Sequence, residues 1–229
     1  MNIKNTLGRE RKAKIMIVDD HPIVREGLAQ LIVQKCPGEV DVVGQAEDAD
    51  SALDAVTRLR PDVVIVDVFL KGSDGIELVK RIKAMDSDVN ILVLSMHDES
   101  LYADRAISAG ASGYIMKNES SEELIRAIRK VLDGQVYLSD TMTTTLVRGK
   151  AAGDVDKPDQ LVSSLTDREL EVFRLFGLGW TTRRIAKELH LSIKTIETYC
   201  ARIKDKLTLD NSNELIRHAV QWINSRDCS

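Results

Sequence analysis

KIMIVDDHPIVREGL, residues 14–28, carries the pattern that decides the fold of the first half of this chain: an apolar run ending on acid, then a helix. KIMIVD (14–19) is almost entirely apolar, as a strand buried on both faces must be. His21 then follows the acidic pair, where it either borders a pocket or, within Asp-His-Pro (20–22), starts a helix; the two readings are equally good. Working outward, similar runs stand at VDVVGQA (40–46), DVVIVD (62–67), NILVLS (90–95) and GYIM (113–116). Helix-length segments lie between and after them, near 22–35, 48–58, 74–84, 100–109 and 121–133. Strands alternating with helices predict an α/β class: a doubly wound, five-stranded parallel sheet. About 120 residues of this kind can bury a sizeable core.

The last of these helices has a clear beginning. Ser120 with Glu123 reads as a capping box, followed by the stripe Leu124, Ile125, Ile128, Val131 and Leu132. From 136 to 160 the periodicity lapses into a polar, small-residue stretch, TMTTTLVRGKAAGDVDKPDQ, that reads as a linker. Beyond it strands disappear. Thr166 and Glu169 make a second capping box, with Leu165 and Leu170 placed to close a hydrophobic staple. Helices are expected over 166–177, 182–189, 193–207 and 212–225, a compact all-α bundle. The division is therefore an N-terminal extension (1–13), a first domain (14–135), a linker (136–160) and a second, smaller domain (161–229).

Composition narrows the function. The 229 residues carry a formal charge of −4, which excludes a uniformly basic nucleic-acid coat. The charge is unevenly spread, however. Eleven basic and nine acidic residues leave +2 over 160–229, while twenty-one and twenty-seven leave −6 over 1–159. That split suits a cation site in front and a polyanion-binding module behind. No apolar run reaches the 18 or so residues of a membrane helix. The charged N-terminus is unlike a secretory signal. Cys36, Cys200 and Cys228 are odd in number and far apart, fitting neither a disulfide framework nor a zinc pattern, so a reducing cytoplasm is expected.

In an open α/β sheet, ligands bind beyond the carboxyl ends of the strands. Here those ends carry Asp19 and Asp20, Asp67, Ser95 and, just after the last strand, Lys117. Three carboxylates so close would raise one another's pKa, and a hard divalent cation, Mg²⁺, removes the conflict. A carboxylate beside such a cation can attack phosphorus. Each residue alone has a plainer reading as turn former, cap or loop lysine; their joint placement at four strand ends supports the chemical one.

IMIVDDHPIVREGL (Asp19, Asp20), VVIVDVFLKGSDGIEL (Asp67, Gly75), LVLSMHD (Ser95) and GYIMK (Tyr114, Lys117) resemble the flavodoxin-like receiver domain of bacterial two-component response regulators over roughly 14–133. The resemblance implies that Asp67 is the phosphoacceptor and that Asp20 and Asp67 bind Mg²⁺ directly. Asp19 would assist through water, and Phe69 would lend a backbone carbonyl. Ser95 and Tyr114 would form a switch pair, the ring packing inward behind the hydroxyl. Leu70 and Lys71 replace the family's usual Met-Pro, which loosens the loop and adds charge, and Asn118 replaces a frequent proline. The Phe69 ring is expected to border the phosphoryl group and slow its hydrolysis.

In the second half, helix 182–189, a tight turn at His190-Leu191-Ser192 and a helix from 193 have the layout of a helix-turn-helix. Ile196, Cys200, Ile203 and Leu207 form the second helix's apolar stripe, while its polar face shows Lys194, Thr195, Glu197, Thr198, Ala201, Arg202 and Asp205. Periodicity alone leaves a protein-binding bundle equally open. Leu165–Val172, TRRIAKEL and SIKTIETY, however, resemble the LuxR-type helix-turn-helix over 163–226. Receiver, linker and this module together are the layout of the NarL/FixJ response regulators.

That resemblance implies that 193–207 is the recognition helix. Thr181, Thr182, Lys194, Thr195, Arg202 and Lys206 would contact phosphates, and Glu197, Thr198 and Ala201 would lie near base edges. The partners implied are double-stranded DNA, a histidine kinase as phosphodonor and a second copy in a phosphorylated homodimer. RNA polymerase is a further candidate; a membrane is not. The chain would act as a regulator that catalyses only its own phosphoryl transfer and hydrolysis. Trp180 and Trp222 are expected in the bundle core, and His97, His190 and His218 at surface or packing positions. Three rivals stand beside this reading: a phosphatase using Asp67, which lacks the second Asp at Phe69; a sigma-factor-like protein; and a receiver that works unphosphorylated.

Overall fold

The computed structural model describes residues 11–70, 73–96, 99–140, 142–144 and 161–227. The chain forms two compact units, Met1–Ala151 and Ala152–Ser229. The expectations placed on Lys71, His97, Cys228, most of the extension and most of the linker lie outside the described residues.

In the first unit β1 (Ala13–Val18), β2 (Val40–Ala46), β3 (Val63–Asp67), β6 (Asn90–Ser95) and β7 (Gly113–Met116) pair in parallel in the order β2-β1-β3-β6-β7. Two short strands, β4 (Phe69–Leu70) and β5 (Ser73–Asp74), make an antiparallel hairpin that the sequence reading did not foresee. The helices are α1 (Pro22–Lys35), α2 (Ala49–Leu59), α3 (Gly75–Met85), α4 (Glu99–Ser108) and α5 (Ser121–Leu132). β3 and most of β1 and β6 are buried, as runs covered on both faces require. One core layer joins Ile15, Ile17, Ile65, Leu92 and Leu94 to Ile125, Ile128 and Val131 of α5.

The strand order reverses between β1 and β3, because the chain first builds outward through β2 and then returns to build the other side. Crossovers cannot cover that point, so a crevice opens there beyond the strand ends. Asp67, opposite Leu94 in the register, stands on its rim beside the residues that follow Val18.

Two local expectations need correction. The Ser120 hydroxyl accepts from the Glu123 amide at 3.2 Å, but the Glu123 carboxylate turns instead to Arg126 and the Tyr137 hydroxyl, so the box is only half made. Residues 136–139 do not begin a free linker, for Tyr137 forms a parallel bridge with Gly113 and is buried in the α5 core layer. At the other end Arg11 binds Asp62 through both terminal nitrogens, at 2.8 and 3.0 Å.

The second unit contains α6 (Asp167–Gly177), α7 (Thr182–Glu188), α8 (Ile193–Leu207) and α9 (Ser212–Asp227). Here the capping box is complete: Thr166 and Glu169 each bind the other's backbone amide. α6 and α9 pack through Phe173 and Trp222, whose rings lie 5.7 Å apart. The α7–α8 turn passes through His190 at φ 52°, a left-handed conformation that histidine adopts more readily than β-branched residues. Ser192 then caps α8 by accepting from the Thr195 amide.

Candidate functional site

The crevice gathers the strand-end residues into one cluster. Lys117 Nζ lies 2.6 Å from Asp19 Oδ2 and 2.7 Å from Asp67 Oδ2. Its own amide donates to the Ser95 carbonyl at 2.7 Å, which ties the residue after β7 to the end of β6. Asp19, Asp67 and Ser95 are all buried. Because strand faces alternate, Ser95 (opposite Met116) and Tyr114 share one face of the sheet, and the Tyr114 ring is fully buried.

Charge is unbalanced here. The Lys117 ammonium bridges Asp19 and Asp67, and no lysine or arginine salt bridge to Asp20 is found among the described residues. Burial pushes the Asp67 pKa up, with Asp19 adding to the effect and Lys117 opposing it. Burial also works against the Lys117 ammonium, but the two carboxylates outweigh it and its pKa ends above the usual lysine value. Ligand atoms of Asp19, Asp20, His21 and Asp67 all lie within 4.8 Å of one another. Asp20 Oδ1 is buried and, although His21 Nδ1 lies 2.7 Å away, it has no properly aligned donor. Hard oxygen donors in excess of local positive charge, one of them unsatisfied, fit a divalent cation such as Mg²⁺.

One residue at this site, Arg25, was not singled out from the sequence, and His21 takes both of the roles open to it. His21 is both the N-cap residue of α1 and a neighbour of the acid pair, its amide donating to Asp19 Oδ1 at 2.8 Å. Arg25 Nη1 donates to the Asp19 carbonyl at 2.6 Å and so holds the turn that presents both carboxylates. The available signal was position: a basic residue in the opening turns of the helix that follows an acid pair.

The Phe69 amide donates to the Asp67 carboxylate, while its buried ring packs edge-on against Tyr102 of α4, with centroids 5.5 Å apart. The ring, two residues beyond Asp67, is therefore held in place by a second aromatic. Gly75 leaves no room for a side chain, since a Cβ there would lie 1.9 Å from the Asp67 carbonyl oxygen.

In the second unit, Lys194, Glu197, Thr198, Ala201 and Arg202 are exposed on α8, and Thr195 is half-buried with its hydroxyl 2.7 Å from that of Ser192. Thr181 is exposed and caps α7 by accepting from the Arg184 amide. Thr182 is half-buried and borders a cavity of about 340 Å³ together with Glu197, Cys200, Ala201 and Lys204.

Lys206 must be corrected. Its ammonium lies 2.6 Å from Glu169 Oε2 and donates to the Ser164 carbonyl, so it locks the end of α8 to the start of α6 instead of facing a phosphate. Trp180 is also corrected: it is half-buried, and the Arg184 guanidinium stacks 3.7 Å from its ring centroid. Trp222 occupies the core as expected.

The Lys206–Glu169 contact makes a stability prediction. Burial alone would raise the Glu169 pKa, but Lys206 and the Thr166 backbone outweigh it and leave it below its usual 4.5. An acid lowered by folding stabilises the fold above its unfolded pKa and loses that contribution as pH falls through the folded one. Glu169→Gln should thus cost about 2 kcal/mol at neutral pH, and the gap to wild type should close below pH 4.5. Both tryptophans lie in this unit, so their fluorescence during urea unfolding reads the effect.

Residues 15–129 match the family described as response regulator receiver domain, and residues 163–219 match the bacterial regulatory proteins of the luxR family. The chain is 34% identical over 215 residues to the oxygen regulatory protein NreC of Staphylococcus carnosus, covering 91% of this chain and 97% of that one. It is 28% identical over 235 residues to the transcriptional regulatory protein DegU of Brevibacillus brevis, covering 95% and 98%. Among solved structures it resembles RcsB from Salmonella enterica serovar Typhimurium bound to promoter rprA in the presence of the phosphomimetic BeF3-. The identity is 29%, the TM-score 0.57, and the coverage 92% of this chain and 99% of that one.

Proposed function

The chain belongs to the response regulators that join a receiver domain to a LuxR-type helix-turn-helix, the DNA-binding transcription regulators of two-component systems, and from this we propose that Asp67 is the residue through which a histidine kinase controls its binding to DNA. The observation that carries the assignment is the Lys117 ammonium bridging Asp19 and Asp67 inside a crevice with one carboxylate oxygen left unsatisfied.

In this reading a carboxylate oxygen of Asp67 forms a bond to phosphorus as the bond to the donor's histidine nitrogen breaks, giving an aspartyl phosphate. Asp19, Asp20, Asp67 and the Phe69 carbonyl would hold Mg²⁺, and the bound cation would supply positive charge for the phosphoryl oxygens. Lys117 neutralises another of those oxygens, and Ser95 donates a hydrogen bond to one. The Ser95 hydroxyl and the Tyr114 ring then bias a two-state equilibrium of the receiver. The chain's chemistry is confined to its own phosphorylation and dephosphorylation.

Two residues beyond Asp67 and braced by Tyr102, the Phe69 ring is assigned to limiting the approach of water, so Phe69→Asn should shorten the aspartyl-phosphate lifetime several-fold. An unchanged lifetime removes the shielding role.

On the DNA side, Lys194, Thr195, Arg202, Thr181 and Thr182 are assigned to phosphates, and Glu197, Thr198 and Ala201 to base edges in the major groove. Arg184 joins the phosphate group, because stacking on Trp180 orients its guanidinium while leaving the in-plane donors available. A phosphorylated homodimer reading two half-sites is supported by the structure of two RcsB dimers bound to two parallel DNAs, 28% identical to this chain with a TM-score of 0.55. Among the described residues no helix is long and apolar enough to cross a membrane, in keeping with action in the cytoplasm.

DNA binding selected from a random-sequence pool, with and without acetyl phosphate and Mg²⁺, tests the reading. Lys194→Ala or Arg184→Ala should weaken binding on every sequence and reduce the salt slope by about one. Glu197→Ala should relax preference at one base pair, at about 1–3 kcal/mol of lost discrimination. Equal losses on all sequences from all three variants contradict the division of roles.

A further inference from the structure

Residues 137–139 are gripped by three separate elements of the receiver. Along the edge of β7, the Tyr137 amide donates to the Ser112 carbonyl at 3.0 Å, and the Tyr114 amide donates back to the Tyr137 carbonyl at 3.0 Å. From α5, Glu123 accepts from the Tyr137 hydroxyl, and the Lys130 ammonium lies 5.6 Å from the centre of the Tyr137 ring. From the first turn of α4, Glu99 Oε1 accepts from the Ser139 amide at 3.1 Å. Ser139 in turn accepts from the Met142 amide, starting the next turn of chain.

This grip depends on a glycine. At Gly113 a Cβ would lie 2.8 Å from the Tyr137 carbonyl oxygen and 3.0 Å from the Tyr137 Cβ, both closer than real contacts allow without movement. The edge of β7 is thus open to one extra segment, and Tyr137 fills it, its side chain buried to 5% exposure.

We infer that residues 137–139 form an output strap, through which the state of Ser95 and Tyr114 reaches the segment leading to the DNA-binding unit. The strap binds the backbone of Tyr114 itself and the helix that begins four residues after Ser95. These bonds are 3.0–3.1 Å long, within the ordinary N–H···O range, so a movement of Tyr114 or of α4 away from the strap lengthens and weakens them. Phosphorylation therefore loosens the strap. The inference rests on phosphorylation of Asp67, and it adds the route by which that event leaves the receiver.

The test uses the full chain and three variants: Tyr137→Phe, which removes the hydroxyl held by Glu123; Glu99→Ala, which removes the acceptor for Ser139; and Tyr137→Ala. Hydrogen exchange over 136–144 is followed with and without acetyl phosphate and Mg²⁺, alongside phosphate incorporation and DNA affinity. In wild type, exchange of this segment should quicken several-fold on phosphorylation. In Tyr137→Phe and Glu99→Ala the rate of phosphorylation should stay as in wild type, while the fold-change in DNA affinity between the two states should shrink several-fold. A merely structural contact would lower the receiver's thermal stability and leave that ratio intact, as read in all three variants, and this result overturns the strap. Normal phosphorylation with exchange unchanged at 136–144 overturns it as well. No phosphate on wild-type Asp67 overturns the strap together with the function it rests on.

Discussion

Asp67→Asn is expected to take up no phosphoryl group from acetyl phosphate and Mg²⁺, and to show no phosphodonor-dependent gain in DNA affinity. An amide is too weak a nucleophile to form the acyl phosphate. Lys117→Met separates chemistry from nucleophile identity. It keeps Asp67 but removes the ammonium 2.7 Å from its carboxylate. Loss of one fixed charge aimed at the developing phosphoryl oxygens costs about 10²–10³ in rate. The variant should therefore be phosphorylated at the same residue, far more slowly. Intact-protein mass over time gives both results, and peptide mapping gives the site. Phosphate persisting at an unchanged rate on Asp67→Asn would move the phosphoacceptor to another carboxylate.

Gly75→Ala should be the most damaging single-methyl change in the receiver. Its Cβ would meet the Asp67 carbonyl oxygen at 1.9 Å, the Asp67 carbonyl carbon at 2.9 Å and the Val68 carbonyl oxygen at 2.8 Å. All three are backbone atoms on the segment that carries the nucleophile, so no side chain can swing aside. The Gly75 amide also donates to Val68 O at 2.7 Å, so α3 cannot retreat without losing that bond. Overpacking of this kind costs typically about 1–3 kcal/mol and can exceed it. We expect at least about 3 kcal/mol of lost stability. The phosphorylation rate should fall with it, because relief requires moving Asp67 away from Lys117. Circular dichroism during urea unfolding measures the first effect. Wild-type stability in this variant would mean that the hairpin β4–β5 shifts freely, contrary to the close approach in the structure.

Much of this was legible in the sequence because it depends on short-range pattern. Apolar runs of strand length end where they must, at Val18, Asp67, Ser95 and Met116, and a parallel sheet then carries the residues at those ends to one rim. Glu169 and Thr166 meet as expected because they are one helical turn apart. Ser120 and Glu123 have the same spacing, yet Glu123 goes elsewhere. Its alternative partner, Tyr137, lies fourteen residues away, and nothing in the local pattern announces that the chain returns there. Lys206 and Trp180 were misjudged for related reasons. A lysine on the polar face of a helix looks free until a residue thirty-seven positions earlier brings a buried carboxylate to it. A tryptophan looks like core until a neighbouring arginine offers its face a cation.

The sequence by itself determined the class of both units, the set of acids at the strand ends and the helix-turn-helix. Hydrophobic period and capping chemistry act over a few residues and leave few alternatives. Only the tertiary structure decided which charges are partnered. It turned Lys206 inward to Glu169, set Lys117 between Asp19 and Asp67, brought Arg25 to the turn at Asp19 and laid Tyr137 beside Gly113. Each of the long-range pairings joins segments that chain folding alone brings together, such as Asp19 and Lys117, ninety-eight positions apart, and the strength of each depends on burial that exists only once the layers have closed.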